Sequence, residues 1–96
     1  MFGRSATRRI VVSRPEGLHA RPCLAICRTA QQFQSRIELR RGRQKADARS
    51  VLELLSLGAD LGTELVLKAR GADSEQALDA LVELFGNNFG LASEVE

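Results

Sequence analysis

The chain has 96 residues, 44% of them hydrophobic, a formal net charge of +2, two cysteines and no tryptophan or tyrosine. That length suits one small domain with a modest core and is short for an enclosed catalytic pocket. The early apolar run Ile10 to Val12 is too short for a signal-peptide core, and no segment is long enough to cross a bilayer.

A soluble, cytoplasmic protein with no membrane insertion is expected. Cys23 and Cys27 stand four apart in a segment that reads as helix, so they cannot staple distant parts of the chain as a secreted mini-protein requires. Charge is unevenly spread: residues 1–50 hold 12 Lys/Arg and 3 Asp/Glu, residues 51–96 hold 2 and 9. A basic half fits an acidic partner (nucleic acid, phosphate or an acidic protein surface) or arginines solvated on several faces.

Thr7 to Ser13 is rich in β-branched residues and ends at Arg14-Pro15, which predicts a first strand closed by a turn. From Ala20 the period changes. Cys23, Ile26, Cys27, Ala30 and Phe33 recur at helical spacing, and Pro22 suits a first helical turn, so a helix is predicted over about 21–32. Ile37 and Leu39 then alternate with charged neighbours, and Gly42-Arg43 turns the chain into a hairpin whose second, more polar strand belongs at a sheet edge. Ser50 with Glu53 forms a capping-box pattern and Gly58 a stop, which predicts a short second helix.

Thr63 to Gly71 reads as a fourth strand. Asp73 is the expected N-cap of a last helix, with Gln76 in the reciprocal position and a stripe of Ala77, Leu78, Leu81, Val82 and Phe85, ended by Gly86 or an Asn. The order β-α-β-β-α-β-α is most economically an α+β open-faced sandwich, a four-stranded antiparallel sheet with three helices on one face. One domain is expected over residues 1–96, with its core at about 7–88 and a loosely attached tail at about 89–96.

His19 is the only histidine. It stands where the first helix begins, beside backbone N–H groups that precede the intrahelical ladder, and these favour a phosphate. Arg21 adds a permanent cation with a planar donor fork, and a neutral imidazole is nucleophilic. These features describe a histidine that accepts a phosphoryl group and passes it on. Other readings of the same residues are a surface or capping His and a metal site with Cys23 and Cys27. A tight zinc site normally takes four ligands, and the chain has no other His or Cys. Nothing in the sequence brings a Ser and a carboxylate to His19 for a hydrolase triad.

GLHARP at 17–22, ARSVLELLSLGADLG at 48–62 and ELVLKARGADSEQALDAL at 64–81, in this order and spacing, resemble the HPr family of the bacterial phosphoenolpyruvate-dependent sugar phosphotransferase system. The resemblance runs from about Ile10 to Phe85. It implies the open-faced sandwich and a monomeric carrier without metal or cofactor. It further implies that His19 carries the phosphoryl group on Nδ1 and that Arg21 steadies it. The implied donor is Enzyme I, and the implied recipient is the A component of a sugar permease or a regulatory counterpart. Ser50 falls where many members carry a serine phosphorylated by an HPr kinase. Cys23 stands where a small residue such as Ala is usual.

The second helix is apolar nearly all round. With Leu54 and Leu57 facing the core, Val51, Leu52 and Leu55 are left toward solvent, an arrangement that marks an interface. The resemblance sets this patch, with Leu24, beside the histidine, where Arg21, Arg28 and Arg49 would steer acidic partners. A nucleic-acid module is the rival use of the basic half. No aromatic is interleaved with the basic run at 40–45 to offer a stacking platform, so no nucleic acid is expected. A regulatory protein acting through Ser50 alone would leave His19 and Arg21 without a use.

Overall fold

The computed structural model describes residues 4–91. Its elements are β1 (Ser5–Val11), α1 (Ala20–Ala30), β2 (Arg36–Arg41), β3 (Gln44–Asp47), α2 (Val51–Ser56), β4 (Glu64–Arg70) and α3 (Ser74–Gly86), followed by a 3-10 turn at Asn88–Gly90. The strands form one antiparallel sheet in the order β1-β4-β2-β3. The hairpin's polar second strand, β3, is an edge strand as expected, and the three helices pack over one face.

Side-chain alternation decides which face is covered. Ile37 and Leu39 of β2, Ala46 of β3 and Leu65, Leu67 and Ala69 of β4 point under the helices and are buried. Pro22, Cys23, Ile26, Cys27 and Ala30 line the underside of α1, and Ala77, Leu78 and Leu81 that of α3. The opposite face carries Arg36, Glu38, Arg40, Lys45, Asp47, Lys68 and Arg70, which line an open groove of about 660 Å³. One basic residue of the hairpin serves the fold: Arg41 Nη1 donates to the carbonyls of Leu57 and Gly58, both at 2.8 Å, and so holds the end of α2.

Some local expectations need correction. Asp73 does occupy the N-cap position of α3, but its side chain makes no cap bond. Its carboxylate instead accepts from the N–H of Gln34 (2.8 Å) and from the N–H and hydroxyl of Ser35 (2.9 and 2.5 Å). Three donors on the loop before β2 outweigh the one amide a cap would satisfy.

The tail expected from residue 89 starts too early. Asn88 and Phe89 both take φ of 60°, which folds the chain back so that Phe89 is buried and its ring meets Phe85 edge-on at 4.7 Å. Burying an aromatic ring offsets the cost of two left-handed residues. The rest of the expected tail, 92–96, lies outside the described residues.

Candidate functional site

The loop that delivers His19 is tied down on both sides. Gly17 N–H donates to Arg14 O and Leu18 N–H to Ala59 O, each at 2.9 Å, and the Leu18 side chain is buried. Gly17 has φ +69° and lies against the 59–60 backbone, a place only glycine fills without strain. His19 is therefore presented by a fastened turn. It is the N-cap residue of α1, extended at φ −91° and ψ −167°, and its carbonyl accepts the first helical bond from Cys23 N–H at 3.1 Å. Pro22 needs no acceptor for an N–H it lacks, so the N–H groups of Ala20 and Arg21 lie ahead of the helical ladder.

The imidazole is half-buried, and Arg14 approaches it from the loop. Arg14 Nη2 lies 3.4 Å from His19 Nε2. A guanidinium only donates, so in this contact Nε2 is the acceptor and the neutral ring carries its proton on Nδ1. Arg14 is itself 5% exposed; its Nη1 donates to Asn88 Oδ1 at 2.5 Å and its Nε lies 3.6 Å from Glu16 Oε1. Neither Arg14 nor Asn88 was expected at the site. The contact between them joins residues 74 positions apart and leaves no local pattern to read.

Of the anticipated residues, Arg21 is exposed on the first turn of α1, next to Pro22. Ser50 is the N-cap of α2, and its hydroxyl accepts from Glu53 N–H at 3.2 Å. The capping box is only half closed. Glu53 Oε1 reaches Asp47 N–H at 2.9 Å rather than returning to Ser50, because Ser50 N–H already donates to Asp47 O.

Leu24, Leu52 and Leu55 are exposed, Leu52 at 80%, while Leu54 and Leu57 are buried. Val51 departs from the expected patch: it is half-buried and packs on the core, because the start of α2 settles against its neighbours. Arg28 is exposed in the last turn of α1, whereas Arg49 spends Nη2 on the carbonyls of Phe33 and Ala30 and closes the end of that helix. Arg49 therefore joins α1 to α2.

Cys23 and Cys27 are free thiols on the buried side of α1. Cys23 Sγ faces Leu18 O at 3.6 Å, and burial pushes its thiol up to about 11. Cys27 Sγ donates to Arg49 O at 3.2 Å and accepts from Gln31 Nε2 at 3.4 Å. Among the described residues no group of three or more His, Cys, Asp or Glu side chains is arranged to hold a metal ion.

A half-buried histidine thus stands at a helix start with one arginine against a ring nitrogen and another two residues on, an arrangement that can serve phosphoryl chemistry. The family comparison agrees: residues 6–87 match the model described as PTS HPr component phosphorylation site. The chain belongs to the HPr family of phosphocarriers. This HPr-family chain is 36% identical over 86 residues to phosphocarrier protein NPr of Shewanella violacea, which covers 90% of it and 94% of that relative. Its fold matches HPr-C-His from Thermoanaerobacter tengcongensis with a TM-score of 0.85 and 35% identity, over 92% of this chain and 99% of that one. It is also 38% identical over 80 residues to DhaM, the phosphoryl donor subunit of the PEP-dependent dihydroxyacetone kinase of Providencia stuartii. That match spans 83% of this chain but only 17% of the much longer DhaM. Phosphotransfer carriage is the function common to the family.

Proposed function

We propose that this chain takes a phosphoryl group from Enzyme I onto His19 Nδ1 and gives it to the A component of a sugar permease or to a regulatory counterpart. The observation that supports this reading is His19 held half-buried at the N-cap of α1, with Arg14 against Nε2 and Arg21 two residues on in the first turn.

In the loading step the bond from phosphorus to the donor breaks, and its electron pair leaves with the donor. The Nδ1 proton passes to the departing group or to solvent, and the electron pair this frees on Nδ1 forms the Nδ1–P bond. The helix dipole and the first-turn amides offset the charge on the phosphoryl oxygens, and Arg21 supplies a cation in the same first turn. Unloading runs the same exchange toward the recipient.

Leu24, Leu52 and Leu55 form the apolar part of the docking surface, with Arg21 and Arg28 as basic neighbours that attract acidic partners. Ser50 is a second modification site: a phosphate added by an HPr kinase would sit at the start of α2 and alter the charge of that surface. The setting is the cytoplasm, where the donor and recipient are found.

The test incubates the protein with Enzyme I, magnesium and labelled phosphoenolpyruvate, comparing wild type with His19→Ala. An acid-labile, base-stable label on wild type alone is expected. No label on folded wild type, with an active Enzyme I from the same organism, removes the phosphocarrier assignment of His19.

A further inference from the structure

A buried cation, Arg14, faces the imidazole of His19, and it is held there by an arrangement that costs backbone strain. Arg14 contacts His19 Nε2 through Nη2 and Asn88 Oδ1 through Nη1. Asn88 and Phe89 are the only non-glycine residues with positive φ among those described, both at 60°. Strained backbone of this kind persists where the surroundings over-determine it, and it clusters at functional sites. Here the surroundings are the buried Phe89 ring and the Asn88 side chain, whose Nδ2 donates to Leu91 O at 3.2 Å while its Oδ1 receives Arg14. The left-handed turn after α3 thus acts as a bracket for a guanidinium that faces His19.

Resting on the reading that His19 carries the phosphoryl group on Nδ1, we propose that Arg14 is a positioning residue that prolongs the life of the phosphohistidine by occupying the Nε2 lone pair. In a ring phosphorylated on Nδ1, Nε2 is the remaining basic nitrogen. Hydrolysis proceeds as water attacks phosphorus and the P–Nδ1 bond breaks. The electron pair returns to the ring, the ring takes up a proton, and inorganic phosphate leaves. A proton already on Nε2 makes the ring a better leaving group and speeds this loss. Arg14 donates to Nε2 without giving up its proton, and a protonated ring would bring two cations into contact. Glu16, 3.6 Å from Arg14 Nε, offsets part of the guanidinium charge and leaves Nη2 directed at the ring. The phosphoryl group is then lost more slowly to water and kept for the recipient.

The test loads wild type, Arg14→Met, Arg14→Lys and Asn88→Ala with labelled phosphoenolpyruvate and Enzyme I, removes the donor, and follows release of inorganic phosphate. The phosphohistidine of Arg14→Met is expected to decay about three- to tenfold faster than wild type, the range of one ordinary hydrogen bond lost. Arg14→Lys should recover part of the difference, and Asn88→Ala should shift the rate in the same direction as Arg14→Met. In urea all four should decay alike, and the ¹⁵N resonance of Nε2 in the folded protein should move between wild type and Arg14→Met.

Equal decay of folded wild type and Arg14→Met overturns the role of Arg14 while leaving His19 as the carrier. If Arg14→Met does not fold, Arg14→Lys and Asn88→Ala decide, and wild-type rates in both overturn the proposal. Failure of wild type to take label overturns both readings together.

Discussion

Gly17 lies against the backbone of Ala59 so closely that a β-carbon on it would stand 2.6 Å from the Ala59 carbonyl oxygen and 3.0 Å from Asp60 Cα. The neighbouring atoms are backbone and cannot swing aside. Gly17→Ala therefore combines a left-handed φ with a steric clash, and should cost about 2 kcal/mol or more. Gly62→Ala, at φ +89° with nothing within 4 Å, incurs the dihedral cost alone. Thermal unfolding of both variants separates the two terms, and only Gly17→Ala should also slow loading of His19.

Asp73 makes stability depend on pH. Its carboxyl is held below the ordinary range, first by the Ser35 hydroxyl, with the Gln34 and Ser35 amides adding to this. An unfolded Asp titrates near about 3.9, so in that range the unfolded chain binds more protons, and stability rises with pH. The contribution is present at neutral pH and lost as pH falls below the unfolded value and through the lower folded one. In urea unfolding, Asp73→Asn should be less stable than wild type at pH 7, and the gap should narrow toward pH 3. A constant gap would assign the effect to geometry instead of charge.

Cys23 sits beside the loop that carries His19, yet burial raises its thiol to about 11 and hides it. Reactivity follows the thiolate and its access. In a Cys27→Ser background, a neutral disulfide reagent at pH 7 should modify native protein about a hundredfold more slowly than protein in urea. Rapid modification of the native state would make Cys23 a redox-sensitive group.

Leu52 is 80% exposed, whereas Leu54 two positions on is fully buried. Leu52→Ser should leave stability within about 0.5 kcal/mol, while Leu54→Ala should cost about 2–5 kcal/mol. In the phosphotransfer assay, Leu52→Ser should raise the KM for Enzyme I roughly fivefold with little change in kcat. An unchanged KM would remove Leu52 from the proposed docking surface.

What was legible in the chain was what repeats locally. The stripe Cys23, Ile26, Cys27 and Ala30 has the period of a helix and is buried as a stripe. Leu65 and Leu67 alternate as a strand does and lie under the helices. Ser50 capped α2 because the partner of its hydroxyl is three residues away. Asp73 carried the same kind of signal and went elsewhere, since its best donors belong to Gln34 and Ser35, 38 residues and more upstream.

The sequence by itself determined the order of elements and the motif of His19 and Arg21 at the first turn of α1, because propensity, period and capping act over a few residues. Tertiary structure decided the strand order β1-β4-β2-β3, the half-burial of Val51, the return of Phe89 into the core and the meeting of Arg14 with Asn88 beside His19. Each of these depends on which buried surfaces fit together, and that fit joins positions with no periodic relation along the chain.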